Sequence, residues 1–417
     1  MRLAVARGVR PRTSALIILA ISVSSQAAEP ACTEGLTRNN LISCGLNDNP
    51  TLAAELANVR ASTGRKEAAR PFLPSNPSVG ATLGSRVSSE ARATNWSVTL
   101  AQEVEIAGQS FLRVEVADDE LKAANAQLRV VRAELAERLW VAWFETIAAR
   151  ERAKLSSLLE KATGEVARTA RGMAANGLAS PVDAAAADAA WVAVSERRLE
   201  AQRAARASLL TVQSLTGGNV ELLGEPGLEP LRTTGAPQAR PELSALESLK
   251  SASTRRVELL RRSRVPNPTI TLFAQNDGFN ERVLGVGLGV PIPLPQPLGR
   301  TRVGEIEEAL AAEERLQAEL DGMLRRLSIE RSLAESDTLA VSEKRALFSA
   351  DRMAVASSAL QALSTQLSAG RLTVREALVT QQALVDLLQS ELATREAACL
   401  ASVRAARAGG FSLEGDL

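Results

Sequence analysis

Two stretches of this chain line up without a gap. "NPTLAAELANVRASTGRKEAARPFLPSNP", from Asn49, meets "RPELSALESLKSASTRRVELLRRSRVPNP", from Arg240, when Pro50 is set on Pro241. Leu52 then meets Leu243, Ala54 meets Ala245, Ser62 meets Ser253, Arg65 meets Arg256, Arg70 meets Arg261, and Asn76-Pro77 meets Asn267-Pro268. A register held over such a length marks a duplication, and a repeat constrains the fold more than any single motif does. Whatever one half builds, the other builds again.

Each copy spells the same elements. A helix opens on Pro50 or Pro241, since proline suits a first helical turn, and it stops at a later proline. Two strands follow. "SVGATLG" puts Val79, Ala81 and Leu83 on one face, and "NWSVTLAQEVEI" puts Trp96, Val98, Leu100, Val104 and Ile106 on one face. In the second copy "TITLFAQ" leads to a turn at "NDGFN", and "LGVGLGVPI" sets Leu284, Val286, Leu288, Val290 and Ile292 against three glycines. Period-two alternation over about ten residues is the pattern of a membrane-spanning β-strand.

Long proline-free stretches come next, from Gln109 to Asn176 and from Gly299 to Gly370. At ~1.5 Å per residue each predicts a helix of roughly 100 Å if unbroken. Leu121, Leu128 and Leu135 repeat as a coiled-coil seam does, and so do Leu316, Leu320, Leu324 and Leu327. Both stretches end alike. "NGLASPVD" holds Gly177, Leu178, Ser180 and Asp183, and "GRLTVRE" holds Gly370, Leu372, Thr373 and Glu376. The glycine closes one helix, and the hydroxyl caps the next. The acids admit two readings, a first-turn partner for the helix dipole or a ring of charge at a constriction.

Composition removes several functions. The net charge is +1 and the chain has no His, so it lacks the basic excess of a nucleic-acid binder and the commonest general base and metal ligand. With no Gly-rich phosphate loop, no CxxC and no nucleophile elbow, neither an enzyme nor a cofactor is expected. Residues 1–28 read as a signal peptide: a basic start at Arg2, Arg7, Arg10 and Arg12, the short apolar run "ALIILAISV", and small residues for cleavage near Ala27 or Ala28. "EPAC" before Cys32 is a poor lipidation signal. Cys32 and Cys44 lie close together in a segment bound for an oxidising compartment, where a disulfide between them is expected. Cys399, Trp140, Trp143 and Phe144 read as helix packing. The mature chain divides into a first repeat over 29–216, a Gly- and Pro-rich linker or lateral segment over 217–239, and a second repeat over 240–417.

Four alternating strands cannot close a barrel alone, and lipid does not tolerate an open sheet edge. Either the strands sit in water, or several chains pool them into a closed ring. At this point the chain resembles the TolC-type outer-membrane efflux proteins, through "RPELSALES", "PNPTITL", "LGVGLGVPIPLP", "QEVEIAG" and both Gly-to-acid turns. "QEVEIAG" and "VPIPLPQPLGR" are most similar to the branch serving heavy-metal cation exporters. The resemblance implies a mainly α fold with a transmembrane β-barrel contribution: a homotrimeric channel-tunnel in the outer membrane, with its helical tunnel in the periplasm. It implies two partners, an inner-membrane pump and a periplasmic adaptor. It also implies that the turns after Gly177 and Gly370 are the periplasmic tip, where adaptor contact and gating occur. Other readings are an exit duct for drugs or for type I-secreted polypeptides and, from another class, a periplasmic coiled-coil structural protein. Two departures stand out. Val379 occupies the place where drug-exporting relatives carry a second tip acid, and Trp96 and Phe273 are the only aromatics available for a membrane girdle.

Overall fold

The computed structural model describes residues 35–47, 49–87, 92–218, 221–224, 226–233, 236–278, 281–294 and 301–414. The expected signal segment and Cys32 lie outside them. The chain order is α1 (Leu41–Asn47), α2 (Pro50–Ala69), β1 (Ser78–Val87), β2 (Arg92–Glu103), α3 (Gln109–Ala175), α4 (Pro181–Thr216), α5 (Pro241–Arg262), β3 (Thr269–Asn276), β4 (Arg282–Gly289), α6 (Val303–Ala346), α7 (Ala350–Ser368) and α8 (Val374–Gly409). The duplication is therefore real at the level of elements. α2 opens as expected, on Pro50 with Asn49 as its cap, whose side chain accepts from the Thr51 amide at 3.0 Å.

The four strands form one antiparallel sheet in the order β1-β2-β3-β4. Its register aligns apolar residues across the whole sheet. Val79 faces Leu100, Leu100 faces Leu272, and Leu272 faces Val286. One row over, Ala81, Val98, Ala274 and Leu284 line up in the same way. The opposite face carries Ser78, Thr82, Ser97, Thr99, Thr271 and Gln275, together with Gly285, Gly287 and Gly289. Val79, Leu83, Val286 and Leu288 are all solvent-exposed in the single chain, so the sheet displays an apolar face that nothing in its own chain covers.

The strands end earlier than the alternation suggests. β2 stops at Glu103 and β4 at Gly289, leaving Val104, Ile106, Val290 and Ile292 beyond the ladder. Trp96 and Phe273 do not form one girdle. Trp96 stands on the apolar face, while Phe273 stands on the other, where a Cβ at Gly285 would lie 2.3 Å from its ring. The glycine on β4 makes room for that ring.

Below the sheet α3 is the central post. It packs against α2, α4, α5, α7 and α8, and α6 packs against α5 and α8. Two apolar clusters hold these helices. The first gathers Leu139, Trp143, Phe144, Val212, Cys399 and Val403 around residues from both chain ends and from the segment between the repeats. Leu36 pairs with Leu222 there, its amide donating to the Glu221 carbonyl at 2.7 Å, and Leu228 and Leu231 are buried. Of the two readings of this segment, linker or lateral segment, its described part is a packed lateral layer. α1 belongs to the same layer and has no counterpart among the described residues before α5. Trp140 stacks on Phe144 and donates its indole N–H to the Leu413 carbonyl at 3.1 Å.

The second long stretch is not one helix. α6 ends at Ala346, and α7 begins after Ser349, whose hydroxyl accepts from the Arg352 amide. The Arg352 guanidinium also donates to the freed Leu347 carbonyl at 2.9 Å. No proline is needed, because a serine cap followed by an acid offers the backbone a competing set of bonds.

Candidate functional site: the paired helix turns

Both long coiled coils end in the same turn. Gly177 has φ 72° and Gly370 has φ 70°, the left-handed region that a side chain resists. Around them the bonds are identical in kind. The Leu178 amide donates to the Met173 carbonyl at 2.8 Å, and the Arg371 amide to the Gln366 carbonyl at 3.0 Å. This six-to-one bond over a left-handed glycine is the Schellman closure. A Cβ on either glycine would meet nothing within 4 Å, so the glycines are required by the backbone and not by crowding.

The turns lie side by side. Ala179 and Leu372, each two residues after its glycine, pack against one apolar cluster formed by Leu159, Val166, Leu360, Leu363, Leu367 and Val374. All eight turn residues named from the sequence therefore belong to one end of the molecule. What they present outward differs. The first turn exposes Leu178 (73%) and Val182 (75%). The second exposes Arg371 and Arg375 at the matching positions. Position-by-position comparison of the two turns carries that contrast, whereas a search for glycine, hydroxyl and acid misses it.

The two acids also differ. Glu376 completes a capping box: its Oε2 accepts from the Thr373 amide and hydroxyl, each at 2.9 Å, while the Thr373 hydroxyl accepts from the Glu376 amide. These bonds hold the Glu376 carboxyl below the usual glutamate range, the backbone bond from Thr373 first and its hydroxyl second. At the first turn Ser180 accepts from the Val182 amide instead, and the Asp183 amide bonds the Ser180 carbonyl at 3.1 Å. Asp183 sits in the first turn without closing a box. Val379 is 67% exposed one turn further on.

Above the turns, Gln381 is buried and its side-chain amide donates to the Thr163 hydroxyl between α8 and α3. Beside it the Arg198 guanidinium meets Glu160 at 2.8 Å. The first contact ties α8 to α3 and the second ties α4 to α3, and residue spacing alone does not reveal them.

The junction between sheet and stalk is clasped. Arg113 donates to Glu105 at 2.6 Å and to the Pro71 carbonyl at 3.0 Å, so one side chain ties both ends of the first hairpin to α3. Asn267 donates to Glu103 at 2.8 Å and accepts from Gln109 at 3.0 Å. Glu103 and Glu105 are used in this joint.

Cys44 is disulfide-bonded, and Cys399 is a free buried thiol whose pKa burial pushes up to about 11. No helix among the described residues is long and apolar enough to cross a membrane; the apolar surface of membrane-spanning pattern lies on the sheet.

An amphipathic sheet with two open edges stands on long coiled coils that end in one paired tip. Residues 41–218 match the family described as outer membrane efflux protein. Among curated proteins it is similar to the nickel-cobalt-cadmium resistance protein NccC of Alcaligenes xylosoxydans xylosoxydans, at 27% identity over 65% of this chain and 62% of that one. That match spans less than two thirds of the relative's length. Among solved structures it is similar to CusC, with TM-score 0.75, 14% identity and coverage of 93% and 96% of the two chains. It is also similar to the outer membrane protein VceC of Vibrio cholerae, with TM-score 0.72, 18% identity and coverage of 90% and 96%. At these identities the two structures establish the fold.

Proposed function

We propose that this protein is the outer-membrane duct of a tripartite efflux system and passively conducts heavy-metal cations to the exterior. An inner-membrane pump and a periplasmic adaptor deliver them. The observation that carries the reading is the uncovered apolar face of a sheet whose two edges are free. In lipid that face is satisfied, and the edges are satisfied when copies join into a closed ring. Three copies make a barrel of twelve strands, with the helices continuing it as a tunnel on the periplasmic side. The resistance named for NccC supports metal cations as cargo. In this reading the paired turns are the adaptor contact, with Leu178 and Val182 offering an apolar half and Arg371 and Arg375 a cationic half.

The test is deletion and complementation in the native host. Loss of the protein should raise sensitivity to nickel, cobalt or cadmium and leave drug sensitivity unchanged, and the unheated protein should run as a trimer from the outer-membrane fraction. Sensitivity to drugs alone, or failure to export a polypeptide, would assign the duct to another cargo. A monomer in the soluble fraction would end the duct reading.

A further inference from the structure

The end of the sheet away from the stalk carries arginines on three strands, Arg86 on β1, Arg92 on β2 and Arg282 on β4. Alternation sorts them between the two faces. Arg86 lies four residues from Thr82 and projects with it on the polar face, where its guanidinium meets the Asp277 carboxylate at 3.6 Å. Arg92 lies four residues from Trp96, and Arg282 lies two from Leu284, so both project on the apolar face. Both are exposed, and neither makes a salt bridge among the described residues. The arginine on the polar face is matched by an acid of its own chain. The two on the apolar face are left to whatever surrounds the sheet.

We infer that Arg92 and Arg282 form a binding site for phosphorylated lipid headgroups on the outer side of the membrane. This rests on the membrane reading above and adds to it a ligand and the residues that hold it.

The level at which these charges stand argues for headgroups. Leu83, Trp96, Asn276 and Arg282 make one row across the sheet. The next two rows toward the stalk, through Val98 and through Leu100, are apolar on this face from β1 to β4. One row outward Ser85 faces Thr94, and beyond it Val87 faces Arg92. The apolar surface therefore gives way at the Trp96 row. Indole rings favour the membrane interface, and a lipid-facing arginine is costly in mid-membrane and nearly free of cost at the interface. Arg92 stands four residues further out than Trp96, about 13 Å along an extended strand, clear of the hydrocarbon. A guanidinium offers a planar fork that takes phosphate with two parallel bonds, and its long stem lets the charge reach past the apolar band.

The stalk end of the same face is different. Gln102, Ile270 and Leu288 make its row, and the Gln102 amide donates to the Ser75 carbonyl at 3.0 Å. Among the described strand residues, the charge on the apolar face is thus all positive and all at one end. The acids of the stalk end, Glu103 and Glu105, are engaged in the junction with the helices. Only the outer end offers unpaired cations to a membrane surface.

Lipid retention tests the site. The full protein is placed in nanodiscs of phosphatidylcholine containing either lipid A or the same lipid stripped of its phosphates, and lipid kept by the released oligomer is read by native mass spectrometry. Lipid A should be kept and the phosphate-free form lost. Arg92→Gln or Arg282→Gln should weaken retention about fivefold and the double variant about thirtyfold, as expected of one and two arginines at an anionic surface. Arg86→Gln, on the other face, should leave retention unchanged. The single variants decide the matter if the double variant does not assemble on an unheated gel. Equal retention of the two lipids, unchanged retention in the Arg92 and Arg282 variants, or an equal loss in the Arg86 variant overturns the site. Displacement of lipid A by inorganic phosphate alone would make it a site for a free anion and overturn the lipid as its ligand. Failure of the unsubstituted protein to enter the nanodisc as an oligomer would refute the membrane reading itself, a failure separable from the others.

Discussion

The two repeats share their elements but not their circumstances. α3 is buried at consecutive positions, from Ala142 to Phe144 and again from Thr146 to Ala149. Successive helical residues point 100° apart, so such a run is possible only when neighbours surround the helix. α6 occupies the same place in the second repeat and is buried along one sparse stripe, while Leu324, Ile329, Leu333 and Leu339 are exposed. The first junction with the sheet is clasped by Arg113. The second helix starts from Arg302 in the left-handed region, with φ 56° and no side-chain cap. α3 runs unbroken and α6 hands over to α7. Duplication thus supplied equal parts, and position in the chain made one the interior post and the other the outer flank.

The comparison breaks most visibly at Trp143. Its ring is almost wholly buried in the main cluster, so Trp143→Ala should cost about 3–5 kcal/mol. Leu333, 60% exposed on α6, should cost within about 0.5 kcal/mol when cut to alanine. Denaturant unfolding of the two variants checks this. A large cost at Leu333 under conditions that separate the chains would mean that α6 is covered by its own chain and the contrast is wrong.

The disulfide at Cys44 comes next. We expect its partner to be Cys32, which closes a short loop and anchors α1 to the lateral layer, and the loss of such a bridge costs about 3 kcal/mol. Thiol labelling of the denatured, unreduced mature protein should modify Cys399 alone. Labelling at three positions would refute the pairing, and a Cys44→Ser variant with unchanged thermal unfolding would deny the anchor any weight.

Much of this architecture was legible because its signals are local and doubled. Proline at the helix starts, alternation in the strands and the Gly-to-hydroxyl spacing of the turns each follow from backbone chemistry within a few residues, and each occurs twice. The α6–α7 break carries no proline or glycine, and its sequence signal is a cap alone, Ser349 followed by Asp351. Composition left 217–239 as a linker or a lateral segment, because the burial of Leu222, Leu228 and Leu231 that decides for the layer comes from long-range packing that no period announces. At the tip, the glycines and caps were readable. The arginines opposite an apolar pair were not, since they acquire meaning only once the turns stand side by side.

The two tip glycines should behave alike in stability and apart in function. Both have positive φ and open space at the missing Cβ, so valine at either should cost roughly 1 kcal/mol or more from the backbone alone. Gly370→Val should leave the trimer and the sheet intact, because the tip lies the length of a long helix away, and should abolish adaptor cross-linking and export. Gly177→Val offers the matched control for the apolar half of the tip. Loss of the trimer in either variant would make the turn a folding element and remove its coupling role.

The smallest expected effect separates the two acids. Glu376 spends its carboxylate on its own helix cap, which depresses its pKa below the ordinary 4.5. A carboxyl depressed in the folded state stabilises above its unfolded value, and that stabilisation fades as pH falls through the folded value. The second turn should therefore loosen on acidification below about pH 4.5, the loss completing under the folded pKa. Hydrogen exchange at Thr373 and Glu376 reads this directly. Asp183 closes no such box, so Asp183→Asn should leave exchange at the first turn unchanged over the same range. Glu376→Gln keeps a side chain that a capping box accepts while removing the charge. It should erase the acid loosening of the second turn and leave the cation preference of the reconstituted channel as it was. A fall in cation preference in that variant would mean that the carboxylate also faces the ion path, and the ring-of-charge reading would replace the cap as its role.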